Sequence, residues 1–234
     1  MTRRRLVGGI AVLVAGTWWS ACGGPPPPRP PAPIAGPLRG VLRIQAGSCD
    51  RYGNVSGSWF RMLQPGGTLA SGPYVVNADS SCANKTWTPV APGTQGLRLG
   101  RYQPAPLPAF DGAANGLGGA IIQPVLWFGV GLAAFTSPRD PRTGISTPPP
   151  ALSVRGTALA GQLQAFSVSW NGEELNQGAP KPGPVRPGPA SAPVGTFDQR
   201  NHRFVLDWSS RIVGGPFNNF TGVWHLTGTY RAQP

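Results

Sequence analysis

Residues 196–231 read TFDQRNHRFVLDWSSRIVGGPFNNFTGVWHLTGTYR, and this stretch decides the fold class. Phe204, Leu206 and Trp208 alternate with Val205, Asp207 and Ser209. A period of two puts successive side chains on opposite faces of a strand. Thr196-Phe197 leads into a polar turn from Asp198 to His202, and Gly222 to Arg231 closes the chain as a further strand.

The same pattern extends outward. From Leu152 to Trp170 the chain alternates again, with Leu163, Ala165, Ser167 and Ser169 opposing Gln164, Phe166, Val168 and Trp170. Asn171-Gly172 follows, a pair that accepts the left-handed conformations of a type I′ hairpin turn. Upstream, Leu42-Arg43-Ile44, Gly57 to Leu63, Tyr74-Val75-Val76 and Leu97 to Tyr102 are short strand-like runs. Gly, Pro, Asn and Asp clusters separate them. Thr136 to Pro150 and Gly178 to Val194 read as long Pro/Gly-rich loops. With 29 prolines and 34 glycines in 234 residues, long helices are excluded. The expected architecture is all-β: one sandwich or barrel-like domain over residues 38–234.

Leu117 to Phe135 (LGGAIIQPVLWFGVGLAAF) is the segment that tests this assignment, because it carries no charge. Gln123-Pro124 interrupts it and glycines recur at 118, 119, 129 and 131. Leu126, Phe128, Val130 and Leu132 alternate with Trp127, Gly129, Gly131 and Ala133. The segment therefore reads as a buried strand or strand pair rather than a membrane helix.

The N-terminus has a different character. Arg3, Arg4 and Arg5 precede an apolar stretch from Leu6 to about Thr17, then Ser20-Ala21-Cys22. The apolar stretch is too short for a hydrocarbon core that needs roughly 20 residues. Residues 1–21 are expected to be a cleaved signal peptide. The Ser-Ala-Cys ending resembles a lipobox, which implies lipidation of Cys22; Trp19 departs from that pattern. Thr2-Arg3-Arg4-Arg5-Leu6-Val7 also resembles a twin-arginine export motif. Gly23 to Pro37 (GGPPPPRPPAPIAGP) is expected to be an extended polyproline stalk behind the lipid, at about 3.1 Å per residue. The implied location is the outer face of the cytoplasmic membrane, reached through a lipid anchor.

Three cysteines are present. If Cys22 takes lipid, Cys49 and Cys82 remain as an even pair in an oxidising compartment, the arithmetic of a disulfide.

The formal charge is +12, and the three arginines of the signal account for three of it, leaving +9. Basic residues are scattered singly, without a stripe or an RNA-binding signature, so a nucleic-acid partner is not expected. Metal and cofactor motifs are missing as well. Asn77-x-Asp79-x-Ser81 lacks the glycine and distal glutamate of a calcium loop, and Gly116-Leu117-Gly118-Gly119 lacks the lysine and spacing of a phosphate loop. Gly53-Asn54-Val55-Ser56-Gly57 has its serine one place late for a hydrolase elbow. His202 falls in a turn and His225 in a strand, where a solvated and a structural histidine are expected. Glu173-Glu174 are adjacent, so on a strand they point to opposite faces and make a poor catalytic pair. Five tryptophans (Trp59, Trp127, Trp170, Trp208 and Trp224) fall mostly on strands, as core residues do. Trp87, near the expected disulfide, is the candidate exposed aromatic platform for a ligand.

Arg211 to Gly228 (RIVGGPFNNFTGVWHLTG), with Ser58-Trp59-Phe60-Arg61-Met62 and Ser169-Trp170-Asn171-Gly172, resembles a group of uncharacterised exported actinobacterial proteins over most of the head. That resemblance implies a bacterial envelope context and a single β-rich unit; it carries no activity and no site residues. The functional expectation is a binding or interaction module without catalysis, facing an envelope glycan, lipid or protein. The competing expectation is an envelope hydrolase acting on wall glycan or lipid through carboxylates. Replacing both Cys49 and Cys82 with Ser is expected to lower stability by roughly 3.8 kcal/mol on loop-entropy grounds. A urea denaturation midpoint compared with the parent checks this.

Overall fold

The computed structural model describes residues 33–183 and 190–233. The readings that fall on the signal, on Cys22 and on most of the stalk lie outside the described residues. The chain runs through β1 (Gly36–Pro37), β2 (Gly40–Ile44), β3 (Ser48–Cys49), β4 (Val55–Ser56) and the long β5 (Trp59–Thr68). Short strands β6 (Gly72–Tyr74), β7 (Thr88–Pro89) and β8 (Leu97–Arg98) follow. Next come β9 (Val125–Trp127), β10 (Val130–Thr136), β11 (Ala151–Arg155), β12 (Ala158–Gln162), β13 (Phe166–Trp170) and β14 (Glu173–Asn176). The chain ends with β15 (Ser191–Phe197), β16 (Arg203–Arg211) and β17 (Thr221–Ala232). All are antiparallel where they pair, and no helix occurs among the described residues.

The fold is all-β, a large curled sheet with a smaller sheet packed on it. The large sheet runs β1-β11-β12-β15-β16-β17-β2-β8, and the small one β14-β13-β10-β9. β17 is the centre. One of its edges pairs with β16 along nine residues, Thr221 to Thr229. Its other edge is shared: Thr221–His225 pair with β5, and Gly228–Ala232 pair with β2. Gly228 permits this crowding, since a Cβ there would lie 1.9 Å from the Arg43 carbonyl oxygen.

The core lies between the two sheets and is aromatic. Trp208 and Trp224 stack with centroids 5.7 Å apart, and Phe166 from the small sheet meets both edge-on. Phe60 bridges Trp224 to Trp127. Buried indoles need acceptors, because an unpaired donor in an apolar interior costs about 1–3 kcal/mol. Gln177, just beyond β14 and 1% exposed, supplies two of them. Its main-chain oxygen accepts from Trp208 Nε1 at 2.8 Å, and its side-chain Oε1 accepts from Trp224 Nε1 at 3.2 Å. Gly222 makes room, since a Cβ there would stand 1.9 Å from Gln177 Oε1.

Several details differ from the sequence reading, among them Tyr74-Val75-Val76, which is strand only at Tyr74, and the loop read to Val194, which is strand from Ser191. The domain was expected from Leu38, yet Gly36 and Pro37 already pair with Val154 and Ser153, and Gln199 hydrogen-bonds both the N–H and the carbonyl of Ile34. Pro37 is tolerated because β1 is an edge strand, where a missing N–H breaks no ladder. In the uncharged segment the alternation does not continue through 128 and 129. Phe128 and Gly129 form a two-residue turn with φ of 51° and 73°, so the segment folds into the β9–β10 hairpin. The Asp79 carboxylate accepts from Gly129 N–H at 2.6 Å and pins that turn. Leu97 to Tyr102 is strand only at Leu97–Arg98. The Asn171-Gly172 turn has φ of 53° and 72°, and Trp170 pairs with Glu173 across it.

Gly222→Ala is expected to cost about 1–3 kcal/mol by displacing the Gln177 amide. The cost should shrink markedly in a Gln177→Ala background, where the clash and the bond are both already gone. Urea unfolding of the two single variants and the double variant reads the difference.

Candidate functional site

The inner face of the large sheet is consumed by the core, so any site on the sheet must lie on its outer face. β5 alternates Trp59 and Arg61 outward with Phe60 and Met62 inward, the outer pair half-buried and the inner pair buried. Register does the rest. His225 on β17 lies opposite both Trp59 on β5 and Asp207 on β16. The three side chains form one row across three strands.

The row is closely coupled. The His225 ring stacks on Trp59, centroids 4.9 Å apart and planes 10° from parallel. His225 Nδ1 lies 2.6 Å from Asp207 Oδ1. A carboxylate accepts only, so Nδ1 carries the proton and donates, leaving Nε2 as the second functional nitrogen. Asp207 keeps half its side-chain surface exposed.

Trp87 extends the row on the side away from His225. It meets Trp59 at 4.5 Å, nearly perpendicular. The disulfide places it: Cys49 and Cys82 are bonded with Cα atoms 5.3 Å apart, tying the segment that carries Trp87 to the β3–β4 hairpin. Within that segment Trp87 N–H donates to the Asn84 carbonyl, Ser80 Oγ donates to the Trp87 carbonyl, and Lys85 Nζ donates to the Ser80 carbonyl. Trp87 is half-buried, not the free-standing platform expected from sequence, because Arg61 covers part of it. The Arg61 guanidinium carbon sits 3.7 Å from the Trp87 ring centre and 3.4 Å from that of Tyr74. A cation between two ring faces gains from both quadrupoles. Burial lowers the Arg61 pKa from its ordinary value, opposed by Tyr74, and arginine stays cationic at neutral pH.

Beyond Asp207 and His225 the outer face opens into a polar groove of about 340 Å³. Val205 and Thr227, two residues along from Asp207 and His225, form its floor, with Gln45, Thr196, Asp198 and Arg203 around it. Arg203 Nη2 donates to Gln45 Oε1 at 3.0 Å. The Thr227 hydroxyl is buried and has no hydrogen-bond partner among the described residues.

The other candidates from sequence are dispersed. His202 sits in its turn with φ of 56°, against Phe197. Asn77 is buried and donates to Thr88 Oγ1 and the Leu126 carbonyl, while Asp79 holds the Phe128-Gly129 turn, so the two serve the fold. Glu173 pairs with Arg142, and Glu174 is half-buried with its pKa raised by desolvation. Sequence reasoning missed Trp59, Arg61 and Tyr74. The period of two across Trp59-Phe60-Arg61-Met62 was the available signal for the first two.

No protein-family model, curated protein or solved structure matches the chain.

Arg61→Gln is expected to cost about 1–2 kcal/mol through loss of two cation–π contacts. In a Trp87→Leu background the same change should cost less, measured by chemical denaturation of the four species.

Proposed function

We propose that the chain is a lipid-anchored envelope protein whose β-domain binds a glycan on the outer face of its large sheet. The observation that carries this reading is the row Trp87–Trp59–His225–Asp207 running into a polar groove. Sugars present apolar C–H faces and hydroxyl edges. Aromatic rings suit the former, and a carboxylate, a histidine, an arginine and an amide suit the latter. Cys22, on this reading, carries the acyl anchor, and the proline-rich stretch that follows it is the spacer that holds the face away from the membrane.

A binding role is favoured over hydrolysis by the state of the carboxylates. Glycoside hydrolysis uses two acids facing one bond. Asp207 is held by His225 and Glu173 by Arg142. Asp50, Asp111, Asp140 and Asp198 accept main-chain N–H groups of their own turns, and Asp79 accepts Gly129 N–H. Glu174 alone of the eight acids has no such partner among the described residues, and one acid does not make a pair.

The test is sedimentation of the mature protein with purified bacterial peptidoglycan and with an insoluble neutral polysaccharide, alongside Trp59→Ala, Trp87→Ala and Asp207→Asn variants. Binding weakened about 2–13-fold by each tryptophan change, at about 0.5–1.5 kcal/mol per aromatic contact, supports the reading. Absence of binding to either polymer, or variants that bind as the parent does, would remove it. Intact mass of membrane-derived protein tests the anchor separately, by a start at Cys22 with added acyl mass.

A further inference from the structure

Away from the outer-face row, a second cavity of about 290 Å³ opens between segments that the sequence presents as loops. Ile145, Pro180, Pro182, Ala192 and Val213 give it apolar walls, and Asp140, Thr143, Ser191 and Arg211 line the rest beside Lys181. Lys181 lines it and has no carboxylate within salt-bridge distance among the described residues.

The lysine's bonding is unusual. Nζ donates to the Asn176 main-chain oxygen at 2.5 Å and to Asn176 Oδ1 at 2.8 Å. Asn176 is itself buried. Two acceptors suffice for the two N–H bonds of a neutral amine and leave its lone pair free. Burial pushes the Lys181 pKa down to about 7, partly offset by Asp140. Asp140, 2% exposed, already accepts the main-chain N–H groups of Arg142 and Thr143. In its uncharged form, a desolvated lysine in a largely apolar cavity is a nucleophile toward carbonyl carbon.

We propose that this cavity is a carbonyl-binding site in which the Lys181 amine condenses with a small apolar aldehyde to form an imine. The Nζ lone pair adds to the carbonyl carbon while the carbonyl π pair moves to oxygen. Proton transfer from nitrogen to oxygen gives the carbinolamine. A proton from bulk water adds to the hydroxyl, and loss of that oxygen as water, with the nitrogen pair forming the C=N bond, gives the protonated imine. The step is a condensation and needs neither oxidant nor reductant. The imine retains one N–H for Asn176, and Asp140 is the nearby carboxylate that balances its charge. The glycan-binding proposal does not bear on this site.

The chain carries two lysines, Lys85 and Lys181, so the test has an internal control. The mature protein is treated with hexanal and cyanoborohydride, which traps imines as alkyl amines, and each lysine is quantified by peptide mass spectrometry. Alkylation at Lys181 at least tenfold faster than at Lys85 at pH 7.5 is expected, rising through a midpoint near pH 7 as the amine loses its proton. Equal or faster reaction at Lys85 would overturn the proposal. Ile145→Trp is expected to fill the cavity while leaving Lys181 and Asn176 unsubstituted. It should suppress hexanal labelling of Lys181 while methylation by formaldehyde and cyanoborohydride persists, and undiminished hexanal labelling would overturn the cavity's role.

Discussion

Gln177 is the point on which the two sheets agree. It leaves the small sheet just beyond β14, yet it accepts from the indoles of Trp208 on β16 and Trp224 on β17. Its own N–H donates to the Phe166 carbonyl on β13. One residue thus closes the hydrogen-bond account of two buried tryptophans and binds the sheets at their aromatic centre. The arrangement needs a position on β17 without a side chain, which Gly222 supplies. Any slip of β17 by one residue would turn Trp224 outward and His225 inward.

The outer face inherits its order from that constraint. With Trp224 held inward against Gln177, His225 points outward, and antiparallel register sets Asp207 and Trp59 on either side of it. The disulfide then adds Trp87 from a segment that has little regular structure of its own, and Arg61 fills the space between Trp87 and Tyr74. Core packing, strand register and one covalent link together present aromatic rings and polar groups in a single strip. The cavity at Lys181 follows a different logic. It lies where loops meet the ends of β15 and β16, and its chemistry comes from desolvation rather than from sheet register.

Much of the fold was legible because its signals are local. The alternation at Phe204 to Ser209, the Asn171-Gly172 pair and the wealth of proline and glycine each act over a few residues and point to strands and turns. The pairing of Cys49 with Cys82 followed from an even count. The uncharged segment was harder. Its alternation is real on both sides of Phe128-Gly129, but period two alone does not reveal a turn whose first residue is a bulky phenylalanine at positive φ. That conformation is held by Asp79, distant in sequence and visible only once folded.

By itself the sequence determined the class of fold and the identity of most core aromatics, since hydrophobic period, turn chemistry and composition are properties of neighbouring residues. Tertiary structure decided which side chains share a surface. Asp207, His225 and Trp59 are unremarkable apart and become a row only through the pairing of β16, β17 and β5. Lys181 looks like one of many cations until Asn176 and an apolar cavity surround it. Such groupings depend on register and on desolvation, and both are set by contacts between residues far apart along the chain.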